Sequence, residues 1–215
     1  MPRQSASLIG IIGAFFALLC ALPRPATAHP HVWITVETTL LYEGGAFSGL
    51  RHKWSFDQYY TAMAIEGLDK NKDGKYDREE LAELAKVNID GLKEFGYFTT
   101  VSVAGREIKL EAANDYWLEY EKGVLSLIFT LPFPEPVPPD TKGLTFAVQD
   151  PTFFIAFDLA KSDAAKLGPG APAACKLKVG GAREQGGTLG DAFAKQFGAM
   201  AVGGAQAIVL DCQGP

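Results

Sequence analysis

Residues Asp69 to Glu80, DKNKDGKYDREE, constrain this chain more than any other stretch. They match the twelve-residue calcium loop of an EF-hand position by position. Oxygen-bearing side chains fall at positions one, three and five (Asp69, Asn71, Asp73), and glycine falls at six (Gly74). Lys75 at seven needs only its backbone carbonyl, Asp77 stands at nine, and Glu80 at twelve can bind bidentately. The requirement is mechanical: six to eight hard oxygens at about 2.3–2.6 Å demand a sharp turn at six, which glycine supplies. Before the loop, Tyr59, Met63 and Leu68 lie at helical spacing, and after it Leu81, Leu84, Val87, Leu92 and Phe95 do the same. The pattern predicts a helix–loop–helix over residues 57–97. The alternative is a charged, Asx-rich surface turn that binds nothing.

The sequence shows one such loop. EF-hands pair through the short strand around position eight, here Tyr76, so the opening mechanism of calcium sensors lacks its usual partner. The expectation is a structural calcium ion clipping two helices onto a larger body.

The chain opens with Arg3, an apolar run from Leu8 to Leu22, and Ala26-Thr27-Ala28. That is the pattern of a signal peptide over residues 1–28, cleaved after Ala28, and it predicts a secreted, periplasmic protein. The run is short for a spanning helix, which needs about 20 residues, and Pro23 and Pro25 end it. Cleavage removes Arg3 and Arg24, leaving 18 basic against 25 acidic residues. An acidic balance argues against nucleic acid as a partner and is compatible with cations. Cys20 leaves with the signal, and Cys175 and Cys212 in an oxidising compartment read as one disulfide.

Processing makes His29 the first residue, followed by Pro30 and His31. Val32, Ile34, Val36 and Leu40 then alternate with polar residues, and so do Leu50, His52, Trp54 and Phe56 after a turn at Glu43-Gly44-Gly45. A three-residue turn pairs Val36 with His52, Ile34 with Trp54, Val32 with Phe56, Glu37 with Arg51 and His31 with Asp57. His52 on the apolar face reads first as a satisfied core residue and only second as a ligand. His29 and His31 share a strand face, and the His29 α-amine and imidazole form a chelate. That nitrogen-rich set suits copper, nickel or zinc, with His31 and Asp57 as further ligands. Pro30 lacks an N–H, which blocks the planar four-nitrogen amino-terminal chelate. The alternative is a frayed terminus with two solvated histidines.

Strands are predicted at Phe98–Val103, Arg106–Ala112, Tyr116–Glu121 and Val124–Leu131 as one meander, followed by a proline-rich extended crossing. Two more follow at Gly143–Gln149 and Thr152–Asp158. Asp115 and Glu119 read as a surface pair. After Ala160 the chain turns rich in Gly, Pro and Ala, and residues 166–215 read as a small C-terminal appendage. It comprises strand Cys175–Val179, a helix opening at Thr188, and strand Ala207–Cys212. The fold class expected is α+β, mainly antiparallel β and sandwich-like, with the EF-hand-like insertion at 57–97 in a β-rich domain (29–165) and a disulfide-stapled αβ appendage.

The ordered set His29-Pro30-His31-Val32-Trp33-Ile34, Arg51-His52-Lys53-Trp54-Ser55-Phe56-Asp57, the calcium-type loop, Tyr97-Phe98, Leu131-Pro132 and Asp150-Pro151-Thr152-Phe153-Phe154 resembles a bacterial family catalogued as domain of unknown function 1007. The resemblance covers about residues 29–160. Members of that family are usually labelled periplasmic components of an ABC-type transport system and are associated with nickel/cobalt or zinc permeases. The resemblance therefore implies a non-enzymatic accessory of transition-metal transport (Ni²⁺, Co²⁺, Zn²⁺ or Cu²⁺), with an inner-membrane permease or ABC transporter component as partner. Two other classes compete: a copper oxidoreductase holding its metal in a histidine brace, and a calcium-stabilised adaptor for a membrane partner. No Ser-His-Asp, GxSxG or HExxH pattern points to hydrolysis.

Overall fold

The computed structural model describes residues 30–180 and 206–212. Strands β1 (Val32–Glu43) and β2 (Ala46–Phe56) form a long antiparallel hairpin. Its turn is Gly44-Gly45, both at positive φ (58° and 89°), a conformation that lets a two-residue turn follow the strand twist. A bulge follows, because Leu41 pairs with Gly49 and Tyr42 with Phe47, leaving Ser48 extra. The register is therefore Ile34–Phe56, Val36–Trp54, Thr38–His52, Glu37–Lys53 and Thr39–Arg51. This corrects the pairing expected from a three-residue turn by two residues. An even slip leaves every side chain on its expected face, and Ile34, Val36, Leu40, Leu50, His52, Trp54 and Phe56 are all buried.

The remaining strands are β3 (Thr99–Val103), β4 (Arg106–Glu107), β5 (Asn114–Glu121), β6 (Val124–Val137), β7 (Thr145–Val148), β8 (Ile155–Leu159), β9 (Ala165–Leu167), β10 (Cys175–Gly180) and β11 (Ala207–Cys212). A first sheet has the order β5-β6-β2-β1-β8, with β9 also on β1; β8 and β9 run parallel to β1. A second, antiparallel sheet has the order β10-β11-β7-β3-β4. The single meander expected over residues 98–131 is thus divided: β3 and β4 belong to the second sheet, β5 and β6 to the first. The division falls where β4 ends after two residues and the chain crosses between sheets.

Strand β6 also runs on through Pro132, Pro134 and Pro136. Prolines at every second position place all their missing donors along one edge. That edge faces away from β2, which still pairs through Pro132 and Val137, while β5 pairs only as far as Thr130.

Two helices, α1 (Gln58–Ala64) and α2 (Arg78–Glu94), stand between β2 and β3. Leu81, Ala85 and Ile89 of α2 join Trp54, Leu118, Leu125, Leu127 and Phe129 in one core. A second core, between the two sheets, holds Phe47, Leu50, Val101, Phe133, Leu144, Phe146, Ile208 and Leu210. The helical insertion therefore covers the part of the first sheet that the second sheet leaves open.

The C-terminal strands extend the second sheet rather than standing apart from it. β11 pairs with β7 through Ile208–Phe146 and Val209–Thr145, and the Cys175–Cys212 disulfide joins directly paired residues of β10 and β11. The helix expected from Thr188 lies outside the described residues.

Candidate functional site

The calcium-type loop joins α1 to α2, and its oxygens are ordered by backbone donors. Asp69 accepts from Asp73 N (3.1 Å) and Gly74 N (3.0 Å), Asn71 accepts from Asp73 N (2.8 Å), and Asp73 accepts from Lys75 N (2.8 Å). Gly74 has φ +77°, which suits the glycine placed at position six. Asp77 caps α2 and forms a capping box with Glu80. The Glu80 carboxylate, 8 % exposed, accepts from Lys70 N (2.8 Å), Asn71 N (3.3 Å) and Asp77 N (3.3 Å), tying the start of the loop to its end. Among the described residues, no group of three or more His, Cys, Asp and Glu side chains is arranged to hold a metal ion. The loop's carboxylates are turned onto N–H groups. The donor chemistry still suits a hard cation at the oxygens that accept one N–H or none, which keep lone-pair capacity, whereas Asp77 Oδ1 and Glu80 Oε1 each already accept two.

The flanking helices present different faces from those expected. Tyr59 and Met63 point outward, 78 % and 66 % exposed, as do Val87 and Phe95. Asp57 caps α1 by accepting from Tyr59 N and Tyr60 N, and this sets the rotation that turns Tyr60, Thr61 and Ala64 inward. Tyr60 stacks on Phe56 at 4.5 Å, and the Thr61 hydroxyl accepts from Leu125 N at 3.3 Å. The loop and helix also rest on β5: Tyr76 meets Tyr120 edge-on at 4.9 Å, and the Arg78 guanidinium lies 4.4 Å from the Trp117 ring centre.

At the amino-terminal end, His29 lies outside the described residues. His31 is exposed; its N–H donates to Phe154 O (2.8 Å) and its ring lies 4.8 Å from that of Phe154. Asp57 sits beside Trp33, not His31, in keeping with the shifted register. Its carboxylate accepts from Trp33 N at 3.0 Å in addition to its two cap bonds. Partial burial pulls the Asp57 pKa up, but the three backbone donors, Trp33 first, outweigh that and hold it below the usual carboxylate value. Asp115 and Glu119 do not pair with one another either. Each meets a β2 cation: Asp115 meets Arg51, and Glu119 accepts from Lys53 at 2.7 Å, raising the Lys53 pKa.

His52 is fully buried between Trp54 and Phe129, where the two sheets and the insertion meet. Its Nδ1 lies 2.9 Å from the Thr38 hydroxyl and its Nε2 3.4 Å from that of Thr99. The Thr99 hydroxyl donates its one proton to Tyr97 O (2.8 Å). It can then only accept from Nε2–H, so Thr38 donates to the Nδ1 lone pair. His52 is therefore a neutral structural bridge from β1 to β3, and both ring nitrogens are used. Desolvation pushes its pKa down to about 3. The unfolded chain binds this proton below about pH 6.5 and the folded chain does not, so stability falls as pH drops from 6.5 towards 3. Urea unfolding at a series of pH values is expected to show that slope, up to about 1.4 kcal/mol per pH unit, in excess of the slope of His52→Gln. Equal slopes would contradict the neutral assignment.

The sequence profile of the family described as "Protein of unknown function (DUF1007)" matches residues 14–196, most of the chain. The chain belongs to this family. The match runs past the 29–160 span carried by the motifs, so residues of the tail share it. The DUF1007 chain is also 24 % identical over 138 residues to an uncharacterized protein of Haemophilus influenzae. That alignment covers 64 % of this chain and 66 % of the relative's own length.

One feature of this DUF1007 protein had no signal in the sequence. A groove of about 770 Å³ runs between α2 and the β7–β8 turn, lined by Leu84, Val87, Phe95, Phe98, Phe154 and Ile155 among others. The turn is held by Asp150, whose carboxylate accepts from Thr152 N (2.8 Å), Thr152 Oγ1 (2.7 Å) and Ile155 N (2.9 Å). The Asp-Pro-Thr-Phe-Phe motif thus builds the turn that presents Phe154 to both the groove and His31. Val87 and Phe95, expected among the packed faces of the helix, line this groove instead.

Proposed function

We propose that the protein is a periplasmic, metal-binding accessory of a transition-metal transport system, with a structural calcium ion in the loop Asp69–Glu80. The observation that carries the calcium part of the reading is the loop: oxygen ligands at positions one, three, five, nine and twelve and a positive-φ glycine at six, set between two helices. Asp69, Asn71, Asp73, the Lys75 carbonyl, Asp77 and Glu80 would hold the ion, which supplies charge neutralisation and rigidity rather than chemistry.

The transition-metal part of the reading rests on His29 and His31 and on the cleavage pattern before them. His52 lies buried in the bridge from β1 to β3, and Asp57 lies beside Trp33 rather than opposite His31, so the reading leans on His29 and His31. Membership of DUF1007 is compatible with a transport role and does not by itself assign one. Titration of processed protein with Cu²⁺, Ni²⁺, Co²⁺ or Zn²⁺ tests the reading. One equivalent should bind, His31→Ala should weaken binding, and affinity should fall as the medium is acidified, because protons compete with the metal for the ligand nitrogens. Unchanged affinity in His31→Ala contradicts it. A second reading, a calcium-stabilised adaptor for a membrane partner, is favoured by the apolar groove beside β8.

A further inference from the structure

In paired EF-hands the residue at loop position eight packs against the partner loop. Here the sequence offers no second loop, and position eight, Tyr76, packs edge-on against Tyr120 of β5. Two residues on, the first residue of α2, Arg78, lies over Trp117 of the same strand. Trp117 also carries a buried indole N–H with no hydrogen-bond partner, so the ring is held here by packing and by the cation above it. Strand β5 in turn pairs with β6 through Trp117–Ile128 and Tyr120–Leu125. Both flanks of the loop's second half are thus braced on one strand of a rigid sheet.

We propose that β5 takes the place of the missing second calcium loop, with Tyr120 and Trp117 as positioning residues that pre-order the ion-binding half of Asp69–Glu80. The proposal rests on the calcium reading above and adds to it the surface that sets the loop's affinity. Tyr76 fixes the backbone between the position-seven carbonyl (Lys75) and the Asp77 carboxylate. Arg78 fixes the first turn of α2, which carries Glu80. With Tyr120 in place the loop meets the ion already folded at these positions. Without it, part of the binding free energy is consumed in ordering the loop.

The test is a calcium titration of the processed, full-length protein, wild type against Tyr120→Leu and Trp117→Phe, with melting temperatures in calcium and in EDTA. An aromatic pair is worth enough for Tyr120→Leu to weaken calcium binding roughly three- to tenfold. It should also lower the melting temperature more in calcium than in EDTA. Trp117→Phe, which keeps a smaller ring beneath the Arg78 guanidinium, should retain only part of the calcium-dependent melting increment and lose the calcium-dependent change in tryptophan emission. If Tyr120→Leu lowers the melting temperature equally in both buffers and binds calcium as wild type does, β5 is ordinary packing and the proposal is overturned while the calcium clip stands. If wild type itself binds no calcium, the clip fails, and the proposal with it. Tyr120→Phe, which keeps the ring contact, should bind as wild type; a loss there as large as in Tyr120→Leu also overturns it.

Discussion

Calcium at 10 mM is expected to raise the melting temperature of the processed protein by roughly 5–10 °C, and Asp69→Ala to abolish the increment. The size follows from mass action. In the periplasm proposed above, open to the medium, the loop needs a dissociation constant of only about 10⁻⁴ M, and a hundredfold excess of ligand stabilises by about 2.7 kcal/mol. For a chain of this length each kcal/mol moves the midpoint by about 2–4 °C. Glu80→Ala should behave differently from Asp69→Ala. Its carboxylate accepts three backbone N–H groups while nearly buried, so its loss should cost about 2 kcal/mol even in EDTA. The Asp69 bonds, by contrast, are solvent-exposed. A scanning-calorimetry series in EDTA and calcium separates the two effects. No calcium increment in wild type contradicts the clip.

Reduction of Cys175–Cys212 should have an effect of similar or greater size. The bridge spans a sequence separation of 37, for which loop-closure entropy gives about 4 kcal/mol. Among the described residues, β11 is joined to β7 by two residue pairs and β10 lies at the sheet edge, so the bridge acts together with the burial of Ile208 and Leu210 in holding these strands. Cys175→Ala/Cys212→Ala is therefore expected to loosen β10 and β11 while β1, β2 and β6 keep their amide protection in hydrogen exchange. In oxidised, denatured protein neither cysteine should react with a thiol reagent. Two labelled thiols contradict the bridge.

Local patterns were legible in the sequence and long-range ones were not. Alternation fixed which faces of β1 and β2 are buried, because a strand's period of two survives any even slip. It could not fix the register, because Gly44-Gly45 can close a two- or three-residue turn and the bulge at Ser48 leaves no compositional mark. The consequence fell on the candidate site: Asp57 moved from His31 to Trp33. Helical spacing located α1 and α2, but not which apolar residues face inward; the Asp57 cap decided that for Tyr59 and Met63. The partition of β3 to β6 between two sheets depends on a crossing at residues 108–113 whose composition resembles strand. The groove is formed by α2 and the β7–β8 turn, some sixty residues apart in sequence by order of magnitude, so no local pattern foretells it.

The central claim is that a transition metal is held at the processed amino terminus, and the α-amine of His29 is its most specific element. The decisive measurement is competitive titration of Cu²⁺, Ni²⁺ or Zn²⁺ against two proteins: one beginning at His29, the other carrying one additional residue before it. The expected result is tight, one-to-one binding by the first and a loss in the second as large as that of His29→Ala, because both changes destroy the amine–imidazole chelate. Equal affinity of the two proteins would contradict the account.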